Sequence, residues 1–224
     1  MAYIKSIYNK EVLENNFDII PPKELDIIIP EKKLAIEYCG LYFHSVKCFG
    51  YEKAKKYHRH KYEECLKKGI KLITIFEDEW QFKEEICKSR IKNYLGLSEK
   101  IFARNLSLEV IPKDKAKTFF NANHLQEYGN SKITFGLVKE NKIYCALSLS
   151  DITRRHTIKQ KTIEIKRFAS LLSFQVIGGF SKLLKYAEIW AKDQGYVSIR
   201  THCDLRWGNG NVYAKNGFNL IFES

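Results

Sequence analysis

Apolar residues fall in short dense runs in the first half of the chain. Leu25–Ile29 and Leu34–Tyr38 are rich in Ile, Leu and Ala, and Pro30-Glu31-Lys32-Lys33 separates them. This pattern predicts two strands joined by a turn. With those four residues as the turn, Ile29 faces Leu34 and Asp26 falls opposite Glu37. Ahead of the pair, residues 2–16 read as an amphipathic helix with Ile4, Ile7, Tyr8, Val12 and Leu13 on its packed side. After it, a helix is expected from about Tyr51 to Lys68, stopping at Gly69. Ile70–Phe76 carries the β-branched run of a buried strand. Asp78 is then the expected cap of a helix from about Glu79 to Tyr94, with acids favourable in its first turn. Gly96 and Ser98 close this part, which predicts a first domain over 1–98 and a second over 99–224.

The second part alternates strands and helices. Phe102–Val110 reads as a strand, and Lys113–Asn123 as a helix entered at Pro112. Lys132–Val138 and Lys142–Ser148 alternate like a hairpin around Glu140-Asn141. Thr162–Phe168 is a further strand. Ser181–Gln194 reads as a helix ending at Gly195, Tyr196–His202 as a strand, and Asn209–Asn216 as a last short helix. The fold class expected is α/β (α+β), in two domains.

Charge changes the picture more than composition does. The 224 residues carry a formal net charge of +12. Residues 1–98 hold 18 Lys and Arg against 15 Asp and Glu, and residues 99–224 hold 20 against 11, so most of the excess lies in the second part. A basic excess of this kind favours a polyanionic partner. No apolar run reaches the 18 residues of a membrane span, and the first twenty residues lack the apolar core of a signal peptide. Six cysteines are scattered without a C-x-x-C pair. They read as reduced thiols of a cytoplasmic protein rather than as a zinc site.

The candidate chemistry lies on the first strand pair. Directly opposed residues of an antiparallel pair place their Cβ atoms roughly 4.5–5.5 Å apart. Two carboxylates at Asp26 and Glu37 would then repel each other unless a cation lay between them, and hard divalent metals take carboxylate oxygens. The alternative is a solvated hairpin face with two unrelated acids. The string ELDI-IP-KLAIEY-GLYFH resembles the PD-(D/E)XK nuclease core, in the branch of very short patch repair and EDxHD phage homing endonucleases. The resemblance covers roughly residues 20–95 and implies a mixed sheet flanked by helices. It implies Mg²⁺, replaceable by Mn²⁺, on Asp26, Glu37 and the carbonyl of Tyr38. It also implies His44 as the base that activates water, and a supporting role for His58. Cys39 stands where the family has Lys. The acid this family carries in a preceding helix has Glu11 and Glu14 as its nearest counterparts.

The second part resembles the GNAT acetyltransferase fold. Asn211-Val212-Tyr213-Ala214-Lys215-Asn216-Gly217-Phe218 looks like that family's N-x-x-Y-x-x-x-G-F ending. Gln175-Val176-Ile177-Gly178-Gly179-Phe180 sits where the family has Q/R-x-x-G-x-G/A, a loop whose free N–H groups face a pyrophosphate. Attached to a nuclease, such a unit reads as DNA-recognising. The expectation is therefore a Mg²⁺-dependent homing endonuclease that hydrolyses double-stranded DNA. Lys53, Lys56, Arg59, Lys61, Arg154, Arg155, Lys159, Lys161 and Arg206 would contact its phosphates. Two alternatives stand beside it: a DNA-binding protein derived from a nuclease that no longer cuts, and an acetyltransferase working through the second part.

Overall fold

The structure is a computed structural model, and it describes residues 2–40, 51–152 and 161–221, with the side chains of 51–56 left out. The elements divide between two compact units. Unit 1 is Met1–Gly96 together with Asp204–Asn209, and unit 2 is Leu97–Cys203 together with Gly210–Ser224. The overall class is mixed α/β, as expected. Among the described residues no helix is long and apolar enough to cross a membrane.

Unit 1 is a four-stranded sheet in the order β1-β2-β3-β4, made of Leu13–Ile20, Lys23–Ile29, Leu34–Cys39 and Lys71–Phe76. The first two pairings are antiparallel and the third is parallel. A parallel neighbour needs a long crossover. The connection from β3 to β4 contains helix α2, Tyr51–Lys67. The β2–β3 register is Ile29↔Leu34, as the length of the turn requires. That turn is a short 3-10 helix over Pro30–Lys32, closed by Lys33 in the left-handed region at φ 47°. Ile20, Leu25, Ile28, Ala35, Cys65 and Leu72 form the core between sheet and α2.

Two expectations fail here. The first helix, α1, covers only Ala2–Ile7, and the segment expected to continue it enters strand β1 instead. Val12 and Leu13 fall at helical spacing from Tyr8. Pairing with β2 nevertheless gives the backbone from Leu13 onward the hydrogen-bond partners it needs, and it wins. Helix α3, Glu77–Leu95, starts two residues earlier than expected, with Asp78 Oδ1 accepting the Glu79 N–H at 2.8 Å and Glu79 Oε2 accepting the Phe76 N–H at 3.3 Å.

Asp204–Asn209 belongs to unit 1 although it follows β4 by more than a hundred residues. The Thr74 N–H of β4 donates to the Arg206 carbonyl at 3.3 Å. The Tyr94 hydroxyl donates to the Trp207 carbonyl. Trp207 is 5% exposed, and the Arg90 guanidinium lies 4.8 Å from its ring. The segment thus covers an otherwise open sheet edge, which proteins commonly shield.

Unit 2 has a five-stranded sheet in the order β11-β9-β8-β7-β6. Its strands are Ser107–Val110 (β6), Ile133–Lys139 (β7), Lys142–Asp151 (β8), Thr162–Ser170 (β9) and Ser198–Arg200 (β11). A separate parallel pair joins β5, Glu99–Phe102, to β10, Phe174–Ile177. Helix α4, Lys113–Asn123, lies on one side, with Ala116, Phe119 and Phe120 packed on Ala146 and Ala169. Helix α5, Gly179–Asp193, lies on the other, with Leu183, Leu184 and Ala187 on Leu147, Leu149 and Ile163. The expected strand over 102–110 is interrupted by a 3-10 turn at Ala103–Asn105, and the last helix, α6, is only Asn211–Ala214.

Candidate functional site

Asp26 and Glu37 do come together, but as parts of a closed network. Glu37 Oε2 accepts from Lys61 Nζ at 2.6 Å, and the Lys61 and Glu37 side chains are only 5% and 6% exposed. Glu37 Oε1 accepts the Asp26 N–H at 3.3 Å, and Asp26 Oδ2 accepts the Tyr38 N–H at 2.8 Å. Burial raises the Glu37 carboxyl above its ordinary value, further than the Lys61 hydrogen bond lowers it, and the charge of Asp26 adds to the rise. Burial pushes the Lys61 ammonium down, but its hydrogen bond to Glu37 and that carboxylate's charge lift it above its ordinary value. Cys39 is buried beside them, its thiol pushed up to about 12 by desolvation and by the two acids, so it stays protonated.

The His58 ring packs edge-on to Phe76, with Nδ1 3.9 Å from Cys39 Sγ. Tyr38 is 47% exposed. His44 lies outside the described residues, as do the side chains of Lys53 and Lys56. Arg59 is exposed and bonds Glu63 at 2.8 Å. Glu14 pairs with Lys5 on the surface. Lys61, expected on a phosphate, is buried against Glu37. Arg206, expected on a phosphate, bonds Asp204 at 2.7 Å and Glu79 at 3.0 Å over the Phe76 ring. Arg154, Arg155 and Lys159 lie outside the described residues, and Lys161 donates to the Gln194 carbonyl.

In unit 2 the geometry opens instead of closing. Strand β11 runs parallel to β9 for three pairs only, ending at Arg200↔Glu164. Strand β9 continues to Ser170, while the other chain leaves after Arg200. Past Glu164, no strand pairs with the outer edge of β9 among the described residues. The register of β8 with β9 shifts between Ser148 and Leu149, opposite Lys166, and such bulges redirect side chains. Glu164, 13% exposed, meets Arg200 Nε at 3.4 Å, Lys166 Nζ at 3.6 Å and His202 Nε2 at 3.6 Å. Next to Lys166, Arg167 donates to the Glu127 and Gln126 carbonyls and so ties down the loop after α4.

The N-terminus of α5 follows the same edge. Gly178 takes φ 76°, which only glycine adopts without strain. A Cβ on Gly179 would meet Val176 Cγ1 at 2.9 Å and Cys145 Sγ at 3.0 Å, so glycine is required there too. The Lys182 N–H is the first to bond back, to the Gly178 carbonyl at 3.0 Å. The amides before it have no carbonyl within the helix to bond. Phe180 turns its ring into the core, 5.1 Å from Phe168, 5.3 Å from Tyr213 and 6.5 Å from Phe218. Its bulk is therefore directed away from those amides.

No family model and no curated protein matches the chain. Solved structures do resemble it. One is a transcriptional regulator from Bacillus halodurans C-125, with TM-score 0.44 and 14% identity, covering 53% of this chain and 96% of its own. A GNAT family acetyltransferase from Staphylococcus aureus subsp. aureus USA300_TCH1516 has TM-score 0.40 and 15% identity over 53% of this chain and 95% of its own. The aminoglycoside acetyltransferase AAC(6')-Iy, solved with the bisubstrate analog CoA-S-monomethyl-acetylneamine, has TM-score 0.39 and 14% identity over 53% and 97%.

These findings correct the nuclease reading. Acetyltransferases recur among the structural likenesses. The expected PD-(D/E)XK core, endonuclease activity and double-stranded DNA partner find no support in these likenesses, which span about half of the chain. At the place expected for Mg²⁺ or Mn²⁺, Glu37 is instead held by the Lys61 ammonium at 2.6 Å. The physical reason lies at Glu37. The charge repulsion that would have called for a divalent cation is relieved by the ammonium of Lys61, reaching across from α2. Counting along β2 and β3 finds the acids, but a partner on a helix 24 residues further on has no signature in that count.

Proposed function

We propose that unit 2 is a GNAT-like acyltransferase unit that moves an acyl group from an acyl-CoA thioester to an amine. The observation that carries this reading is the parting of β9 and β11 after Glu164–Arg200, beside the glycine-opened start of α5. The opening leaves backbone groups of β9 available to a ligand lying along the strand, as edge addition does elsewhere. The Gly179, Phe180 and Ser181 amides point out of a helix N-terminus, where the helix dipole favours a pyrophosphate. Acyl-CoA, when bound, supplies the activated acyl carbon. The likeness of Asn211–Phe218 to the N-x-x-Y-x-x-x-G-F ending supports the same reading.

The chain's own residues then divide the work. Tyr213, half-buried on the Phe180 ring, is the proton donor to the departing thiolate as the C–S bond breaks and the C–N bond forms. Glu164 is the acid nearest the point of divergence and takes the proton that the amine loses. The test is acetyl-CoA binding by calorimetry, together with thioester loss in the presence of amines. Tyr213→Phe is expected to lower kcat by about 10²–10⁴-fold with acetyl-CoA affinity kept. Absence of both acetyl-CoA binding and transfer in the full chain would reject the reading.

A further inference from the structure

The charge around Glu164 says which amines this opening takes. Two permanent cations, Lys166 and Arg200, flank one carboxylate, with His202 on the rim and Arg167 next along the strand. The Arg200 Nε is buried and makes no hydrogen bond, although Glu164 lies 3.4 Å away. Lys166 is held in place from behind, since its Cγ lies 2.9 Å from where a Cβ of Gly129 would stand. Arg167 donates to three carbonyls, those of Gln126, Glu127 and Lys166, and burial pushes its guanidinium below its ordinary value. Arg167 is thus anchored, and Lys166 packs against Gly129. They stand where β9 loses its partner strand. One carboxylate cannot neutralise them, and residues 99–224 as a whole carry the larger part of the net positive charge.

We infer that the acceptor is an amine on an anionic molecule, one that carries a carboxylate or phosphate close to the reacting nitrogen. This deepens the acyltransferase reading and rests on it. The anionic group sits against Arg200 and Lys166, which leaves Glu164 to the amine. A polycation such as an aminoglycoside meets like charge at the same mouth, and like charges across a contact are costly and slow association. The chain thus differs in substrate class from the aminoglycoside acetyltransferases whose structures resemble it.

The experiment uses the full chain, acetyl-CoA and four acceptors. These are a short peptide whose free N-terminal amine is followed by aspartates, its phosphoserine counterpart, its lysine counterpart, and an aminoglycoside. Thioester absorbance is the readout, because the exposed Cys203 thiol would consume thiol reagents. The aspartate or phosphoserine peptide is expected to have a KM about tenfold or more below that of the lysine peptide, with the gap closing as salt rises. Which of the two is better separates carboxylate from phosphate. Arg200→Ala and Lys166→Ala should each raise KM for the acidic peptides more than for the lysine peptide, and Arg200→Lys should restore most of the preference. Faster turnover of the aminoglycoside or lysine peptide would overturn the inference while leaving acyl transfer standing. Equal loss on all acceptors in Arg200→Ala would also overturn it, making the cluster a strand tether. A fluorescent acidic peptide, titrated without acetyl-CoA and read by anisotropy, tests the inference even if transfer fails. Binding lost in Arg200→Ala supports it, and no binding at low salt rejects it.

Discussion

Both units place a glutamate on a central strand against a basic side chain, and the two pairs behave in opposite ways. In unit 1, Glu37 and Lys61 match one to one, touch at 2.6 Å and exclude water. In unit 2, Glu164 faces Arg200, Lys166 and His202 at 3.4 Å or more, from the place where two strands separate. A matched buried pair spends its charge internally and has little left for a ligand. An unmatched cluster at an open edge keeps a field that reaches outward. A carboxylate on a strand therefore marks a site only when its surroundings leave charge uncompensated.

The sharpest test truncates the matched pair. Lys61→Ala should cost unit 1 about 3–5 kcal/mol in urea unfolding, since it leaves Glu37 buried without its cation. Replacing Glu37 and Lys61 together by methionine should recover most of that loss. A Lys61→Ala cost below ~1 kcal/mol would mean that water reaches the pair and would erase the contrast. Trp207→Ala should cost a comparable ~3–5 kcal/mol through the lost core side chain. The loss should appear in unit 1, followed by hydrogen exchange of β4, although the residue lies far along the chain. Protection of β4 unchanged in this variant would show that Asp204–Asn209 is not part of the unit's core.

A third test uses pH. The folded state holds the Glu37 carboxyl above its ordinary value. Such a group contributes stability that is complete below the unfolded value, near 4.5. The contribution is lost as pH rises through the folded value. Glu37→Gln removes this dependence, so its stability should gain on that of the natural chain as pH is raised from about 4 towards neutrality. A gap that moves the other way would mean that Lys61, rather than burial, dominates the site. The smallest effect belongs to unit 2. Arg200→Ala should change unfolding free energy by only ~0–1 kcal/mol, as partly exposed pairs do. A cost like that of Lys61→Ala would make the Glu164 cluster structural and remove the distinction between the units.

The two units are not equally readable from sequence. Lys113–Asn123 is a helix with the bounds expected, because Pro112 opens it and its apolar residues keep one period. The Ile29↔Leu34 register is likewise readable, because a four-residue turn leaves no other pairing. Strand β1 is not, since the segment around Leu13 suits helical spacing until β2 is there to pair with it. The loop Asp204–Asn209 carries a signal that is open to reading. A tryptophan among Gly, Asn and Asp in a polar turn has to bury its ring somewhere. A linear boundary at residue 98 does not say that the burial is in unit 1.

Local features follow from residues that are close together along the chain. Turn chemistry set the β2–β3 register, period set most of the helices, and the glycine at 178 set the start of α5, because each of these depends on neighbours a few bonds away. The role of the charges came only with the assembled fold. Whether Glu37 needs a metal depended on Lys61, brought in by a helix crossover, and whether Glu164 stands at an opening depended on the length over which β11 follows β9. Electrostatic energy depends on distance and on exclusion of water, and neither is a property of position along a chain.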